Sequence, residues 1–69
     1  MQPILTKINQ KRLEKNYSQH YMASRLKISQ SYYNKIENGK KTITLQHILQ
    51  IAAILEIEIT ELLGTNKSA

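Results

Sequence analysis

The chain contains no cysteine, which excludes a disulfide framework and a thiolate metal site and leaves burial of apolar side chains to hold it together. That absence fits a reducing compartment. It also has no apolar run approaching the roughly 18 or more residues of a membrane span, and the start MQPILTKINQ lacks the long apolar stretch of a secretory signal. A soluble, cytoplasmic protein is expected. Histidine is scarce: His20 and His47 stand alone, with no helical His pair, so no metal site is expected. Acids are few as well. Glu56, Glu58 and Glu61 lie on one short element without a nucleophile or a glycine-rich phosphate loop, which reads as a solvated acidic face and not as paired catalytic carboxylates. No enzyme, no cofactor and no small-molecule substrate is expected.

What is present is positive charge, unevenly spread. The net charge is +5, and up to Lys41 nine basic residues (Lys7, Lys11, Arg12, Lys15, Arg25, Lys27, Lys35, Lys40, Lys41) face only Glu14 and Glu37, a net of +7. The remainder sets Lys67 against three glutamates, a net of −2. Such asymmetry suits a fold of which one part meets a polyanion while the other packs or pairs, although a solvated lysine-rich surface would look the same by charge alone. At 69 residues the chain is near the lower limit for one independent hydrophobic core, so one domain is expected over residues 1–63, followed by a flexible tail at 64–69.

The apolar residues recur at three and four, not at two, which predicts helices. Ile4, Leu5 and Ile8, continuing to Arg12, form a stripe on a helix over 3–15, with Pro3 tolerable in its first turn and Asn16 as its stop. Ser18 offers a cap for a second helix over 19–26, whose inward face is Met22, Ala23 and Leu26. Ser29 caps a third over 30–37, anchored by Tyr33 and Ile36 and stopped by Asn38-Gly39. Thr44 caps the most apolar helix, over 45–55, with Leu45, Ile48, Leu49, Ile51, Ala52 and Leu55. The alternation in Ile57 to Leu63 could pass for a strand, but a lone strand has no partner. It reads as a fifth helix over 59–63 that closes the core with Leu62 and Leu63.

Two short helices joined by a turn of about three residues, in a basic surround, form a helix-turn-helix. Ala23 supplies the small residue where the two helices cross. The outward face of the third helix carries Gln30, Ser31, Asn34 and Asn38, with Lys35 alongside and no acid. Glutamine and asparagine can bind adenine bidentately, serine suits several bases, and lysine reaches guanine or phosphate, so this face suits base edges in a major groove.

The residues Ser18-Gln19, Met22-Ala23, Leu26, Ile28-Ser29, Ser31 and Lys35-Ile36-Glu37-Asn38-Gly39-Lys40, followed by the Leu45 to Leu63 pattern, resemble the phage repressor and Cro family, also called the xenobiotic-response-element family. The resemblance implies an all-α, compact five-helix bundle of the lambda-repressor-like kind, in a bacterial or phage-type, nucleoid-associated regulator. It implies that Gln30, Ser31, Asn34 and Lys35 read bases of double-stranded DNA. Gln19 would bind a phosphate at the N-terminus of its helix, with Asn38, Lys40 and Lys41 on the backbone. Arg12 and Glu37 would form a buried ion pair between the first and third helices.

Two departures stand out. The family commonly has glycine where this chain has Lys27 and Glu56, so each must accept a left-handed backbone or end its helix differently. Tyr33 replaces a more usual aliphatic anchor, and its hydroxyl needs a partner or an opening to solvent. The adjacent Tyr32 is expected exposed, either touching the DNA sugar-phosphate or a thymine methyl, or covering Ile36.

The function expected is a sequence-specific DNA-binding transcriptional regulator, a repressor inserting helix 3 into the major groove of a palindromic operator, and a homodimer through its C-terminal half. Activator, restriction-modification controller and antitoxin share the same pattern. The alternative is a protein-interaction module on the same fold, with Tyr21, Ala53, Ile54 and Ile59 outside the core as its partner surface.

Overall fold

The computed structural model describes residues 3–63, so the tail expected at 64–69 lies outside the described residues. Five helices follow one another: α1 (Pro3–Glu14), α2 (Gln19–Leu26), α3 (Gln30–Glu37), α4 (Leu45–Leu55) and α5 (Ile59–Leu63). The described residues contain no strand. The alternating stretch after α4 ends in a helix at 59–63, which packs on the sides of α1 and α4 where a lone strand would find no edge.

The chain marks its own helix boundaries by side-chain chemistry. Ser18, Ser29 and Thr44 all adopt an extended backbone, and each hydroxyl accepts a hydrogen bond from the amide three residues on, at Tyr21, Tyr32 and His47 (2.9, 3.0 and 3.0 Å). Each cap satisfies one of the amides that the first turn leaves without a carbonyl.

The helix ends repeat a second device. Asn16, Lys27 and Glu56 take left-handed backbones (φ 61°, 62° and 59°), and the amide of the next residue returns to the carbonyl five back: Tyr17 to Arg12, Ile28 to Ala23, Ile57 to Ala52. These are Schellman closures, and in each the returning residue is apolar and packs against the core. The absence of glycine at Lys27 and Glu56 therefore leaves the turn geometry intact. Gly39 (φ 80°) ends α3 against α1, where a Cβ would stand 3.5 Å from Leu5 Cδ1.

The core is built from Leu5, Ile8, Met22, Ala23, Leu26, Tyr33, Ile36, Ile51, Ala52, Ile54, Leu55 and Leu62. α2 packs on α3 and α4, α1 on α3, α4 and α5, and α4 on α5. Because α3 is held from one side by α1 and α2, its other side faces outward.

Three expectations are corrected. Leu63 does not close the core; it is 45% exposed, and Leu62 alone of that pair is buried. Adjacent positions on a helix diverge by about 100°, so a single turn of α5 can turn one of them inward. Ile54 is buried and not outside, while Tyr21 and Ile59 are half-buried against the core and Ala53 is exposed. Among the described residues the large apolar side chains left in solvent are instead Leu13, Leu45, Leu49 and Leu63. Tyr32 is half-buried, because its ring meets the His47 ring of α4 edge-on at 6.0 Å between centroids.

A left-handed backbone costs a residue with a side chain roughly 1–2 kcal/mol, and glycine loses about 0.5–1 kcal/mol more chain entropy on folding. Lys27 is exposed. Lys27→Gly should therefore raise stability by about 0.5–1 kcal/mol, read as a higher midpoint in urea with an unchanged slope.

Candidate nucleic-acid interface

The interface is organised by one buried carboxylate. Glu37, near the end of α3, is 4% exposed and accepts five hydrogen bonds from four residues on three helices. From α1, Arg12 donates Nε to Oε2 at 3.0 Å and Nη2 to Oε1 at 3.1 Å, a bidentate fork. Asn9 of α1 donates to Oε1 at 3.1 Å, and Gln19 of α2 donates its Nε2 to the same oxygen at 3.1 Å. Tyr33, one turn earlier on α3, donates its hydroxyl to Oε2 at 2.6 Å. Arg12 spends its remaining arm on the Tyr17 carbonyl at 2.8 Å, where the chain turns from α1 towards α2.

Burial works against charge on Glu37, but the hydrogen bonds from Arg12, Tyr33, Gln19 and Asn9 together outweigh it and hold the carboxyl below its ordinary range. Arg12 is held charged more firmly than usual by its bond to Glu37. Burial, with the bond to Glu37, pushes the Tyr33 phenol well above its ordinary range, so it stays a neutral donor. The Tyr33 hydroxyl thus has its partner inside the core and not at the edge.

Around this centre the expected site residues fall in two groups. Gln30, Ser31, Lys35, Asn38, Lys40 and Lys41 are exposed, on α3 and the loop after it. Gln19 and Asn34 are half-buried and joined: Asn34 Nδ2 donates to Gln19 Oε1 at 3.1 Å, and Asn38 Nδ2 donates to Asn34 Oδ1 at 3.1 Å. Tyr32 leans away toward α4.

The charges divide by face. Lys11 pairs with Glu61 of α5 at 2.9 Å and with Glu14 at 3.6 Å, and Lys15 pairs with Glu56 at 3.1 Å. The bond to Lys11 draws the Glu61 carboxyl down, and the same bond raises Lys11. Two of the late glutamates therefore tie α1 to the α4–α5 end and are not an idle acidic face. Among the described residues Lys35, Lys40 and Lys41 have no carboxylate within 4.0 Å and remain unneutralised. Residue spacing missed Asn9, although it shares the inward side of α1 with Leu5, Ile8 and Arg12, and that periodicity was the signal available.

Comparison with known proteins fits this geometry. A family profile described as helix-turn-helix matches residues 8–62, from the buried Ile8 of α1 to the buried Leu62 of α5. The chain belongs to the helix-turn-helix family. It is similar to the control protein C.MunI of a Mycoplasma species, 37% identical over 57 residues that cover 81% of this chain and 77% of the relative. No solved structure matches the chain significantly. As a helix-turn-helix protein with a control protein for a relative, the chain is a DNA-binding transcriptional regulator and not an enzyme. No described helix is long and apolar enough to cross a membrane.

Removing one partner of a buried ion pair leaves the other charge unpaired, which costs about 3–5 kcal/mol. Arg12→Met should destabilise the domain by that amount in urea unfolding. The pH dependence follows from the lowered carboxyl. The stabilisation from Glu37 is fully present above its ordinary value of 4.5 and is lost as pH falls from there through its folded value. Acid titration of stability should show this loss in the native chain and a shallower one in Glu37→Gln.

Proposed function

We propose that this regulator binds a palindromic DNA operator as a homodimer, lays α3 in the major groove and represses by occupying the promoter. The observation that carries the reading is the surface of α3. It is polar or basic wherever it is exposed, and its one acid is turned inward under five hydrogen bonds. Gln30 and Ser31 stand at the start of that surface, Asn34 one turn on, and Lys35 beside them, which matches the donor and acceptor edges of a major groove. Gln19 begins α2, where helix amides and the helix dipole favour a phosphate, and Lys40 and Lys41 follow α3 as unneutralised cations. Occupancy alone excludes polymerase from a promoter, so repression asks for no further contact. Among the wider roles that share this sequence pattern, similarity to a protein named a control protein weighs toward a controller over an antitoxin.

The dimer is supported by what α4 leaves in solvent. Leu45, Leu49 and Ala53 stand one turn apart from one another and are all exposed, and Leu63 adds a fourth apolar residue on α5. An exposed apolar stripe in the C-terminal half suits a two-fold contact, which would set two recognition helices about 34 Å apart, one turn of duplex.

Selection from a randomised duplex pool at moderate salt should enrich a palindrome; a pool that stays random would refute sequence-specific binding. On the selected site, Gln30→Ala should cost about 1–3 kcal/mol and relax preference at one base-pair position. Lys40→Ala should weaken cognate and random DNA alike and lower the salt slope by about one. Leu49→Glu, on an exposed position, should leave helicity intact and shift sedimentation from dimer to monomer; an unchanged dimer would put the contact elsewhere.

A further inference from the structure

The hydrogen bonds leaving Glu37 toward the α3 surface all point one way. A carboxylate without a proton only accepts, so Gln19 must turn Nε2 toward Oε1 of Glu37 and present its carbonyl outward. That carbonyl can take only a donor, so Asn34 turns Nδ2 toward it and leaves Oδ1 on the other side. Asn38 then donates its own Nδ2 to that oxygen. Three amides on two helices share one polarity, fixed at its inner end by a charge that Arg12 and Tyr33 keep ionised and immobile.

An asparagine amide free to turn over can exchange its donor and acceptor, and so meets an adenine on either strand. One whose donor is held against a carbonyl of fixed direction cannot. After these bonds Asn34 retains one N–H on the Gln19 side and one lone pair on the Asn38 side, in fixed order along α3. Adenine shows N7, an acceptor, and the N6 amine, a donor, in an order that reverses when the base pair is inverted.

We infer that Glu37, acting through Gln19, sets the direction of the Asn34 amide and so lets the protein distinguish A·T from T·A at the base pair beneath it. Gln19 is then a positioning residue for base recognition, in addition to any phosphate it holds. This rests on the reading that α3 enters the major groove.

The test is the base preference of variants in the same duplex selection, with fold checked by circular dichroism. Asn34→Ala identifies the base pair concerned. Gln19→Met, which keeps length but removes the amide, should lower the A-over-T ratio at that pair by about tenfold. The preference assigned by Gln30→Ala should stay as it was. Asn38→Ala removes only the outer link and should leave the ratio at the Asn34 pair standing. If Gln19→Met instead weakens binding to all sequences and keeps every base preference, Gln19 contacts phosphate alone and the inference is overturned. A wild-type pool with no preference at any position would overturn the major-groove reading as well, which separates the two failures. A measurement on the free wild-type chain stands apart from any variant's folding: a through-hydrogen-bond coupling between Asn34 Nδ2 and the Gln19 carbonyl carbon is expected, and its absence overturns the inference.

Discussion

The Arg12–Glu37 pair is the contact on which the geometry of the α3 surface depends. It is an unusual choice in so small a core. Two charges are taken from water at a cost of several kcal/mol each, and a well-packed apolar pair would often do as well for stability alone. What an apolar pair lacks is direction. The fork of Arg12 fixes both oxygens of Glu37, and the three other donors fix the angles at which α1, α2 and α3 meet. Because α3 rests on α1 and α2 from one side, this cluster ties the tilt of its exposed face to both of those helices.

The same residue resolves a conflict in the charge plan. Helix α3 carries one acid in an otherwise polar and basic surface, and on the proposed reading an exposed carboxylate there would repel phosphate within a Debye length of about 8–10 Å. Burying Glu37 against Arg12 removes that repulsion without removing the acceptor. At the other end of the molecule Glu56 and Glu61 neutralise Lys15 and Lys11. Exposed pairs of this kind contribute little to stability, about 0–1 kcal/mol each. They do neutralise two cations of the α1 end, while among the described residues Lys35, Lys40 and Lys41 on α3 and the loop that follows it have no carboxylate partner, and neither do Arg25 and Lys27 at the end of α2.

Much of this was legible in the sequence, and the reasons differ by element. The helix-boundary signals read from sequence, Ser18, Ser29, Thr44, Asn16 and Asn38-Gly39, act through bonds to the backbone within a few residues or through the backbone's own angle, so local pattern suffices. Lys27 and Glu56 were ambiguous because propensity disfavours them in a left-handed turn, and the apolar return of Ile28 and Ile57 to the core decided the matter. Leu63, Ile54 and Tyr32 were misplaced for another reason. Their burial depends on where the neighbouring helices lie, against which Ile54 and Tyr32 pack and from which Leu63 turns away, and helical period alone does not give that. The charged core pair was legible only through family resemblance, since no spacing rule puts an arginine of one helix on a glutamate 25 residues later. The basic and polar residues of the α3 face were legible by spacing, yet their bonds to one another were not, because those need the distance between α2 and α3.

That distance carries the remaining argument. Gln19 and Asn34 sit on different helices, and their 3.1 Å contact exists only because α2 packs closely on α3. A larger residue in place of the buried Ala23 of α2 would push that helix off its neighbours, because interiors packed like crystals do not absorb such a change locally. Gln19 would then lose either Glu37 or Asn34. The packing of α2 on α3 and the charge beneath it thus act on the same feature, one by setting how near the two helices lie and the other by setting which way their amides face.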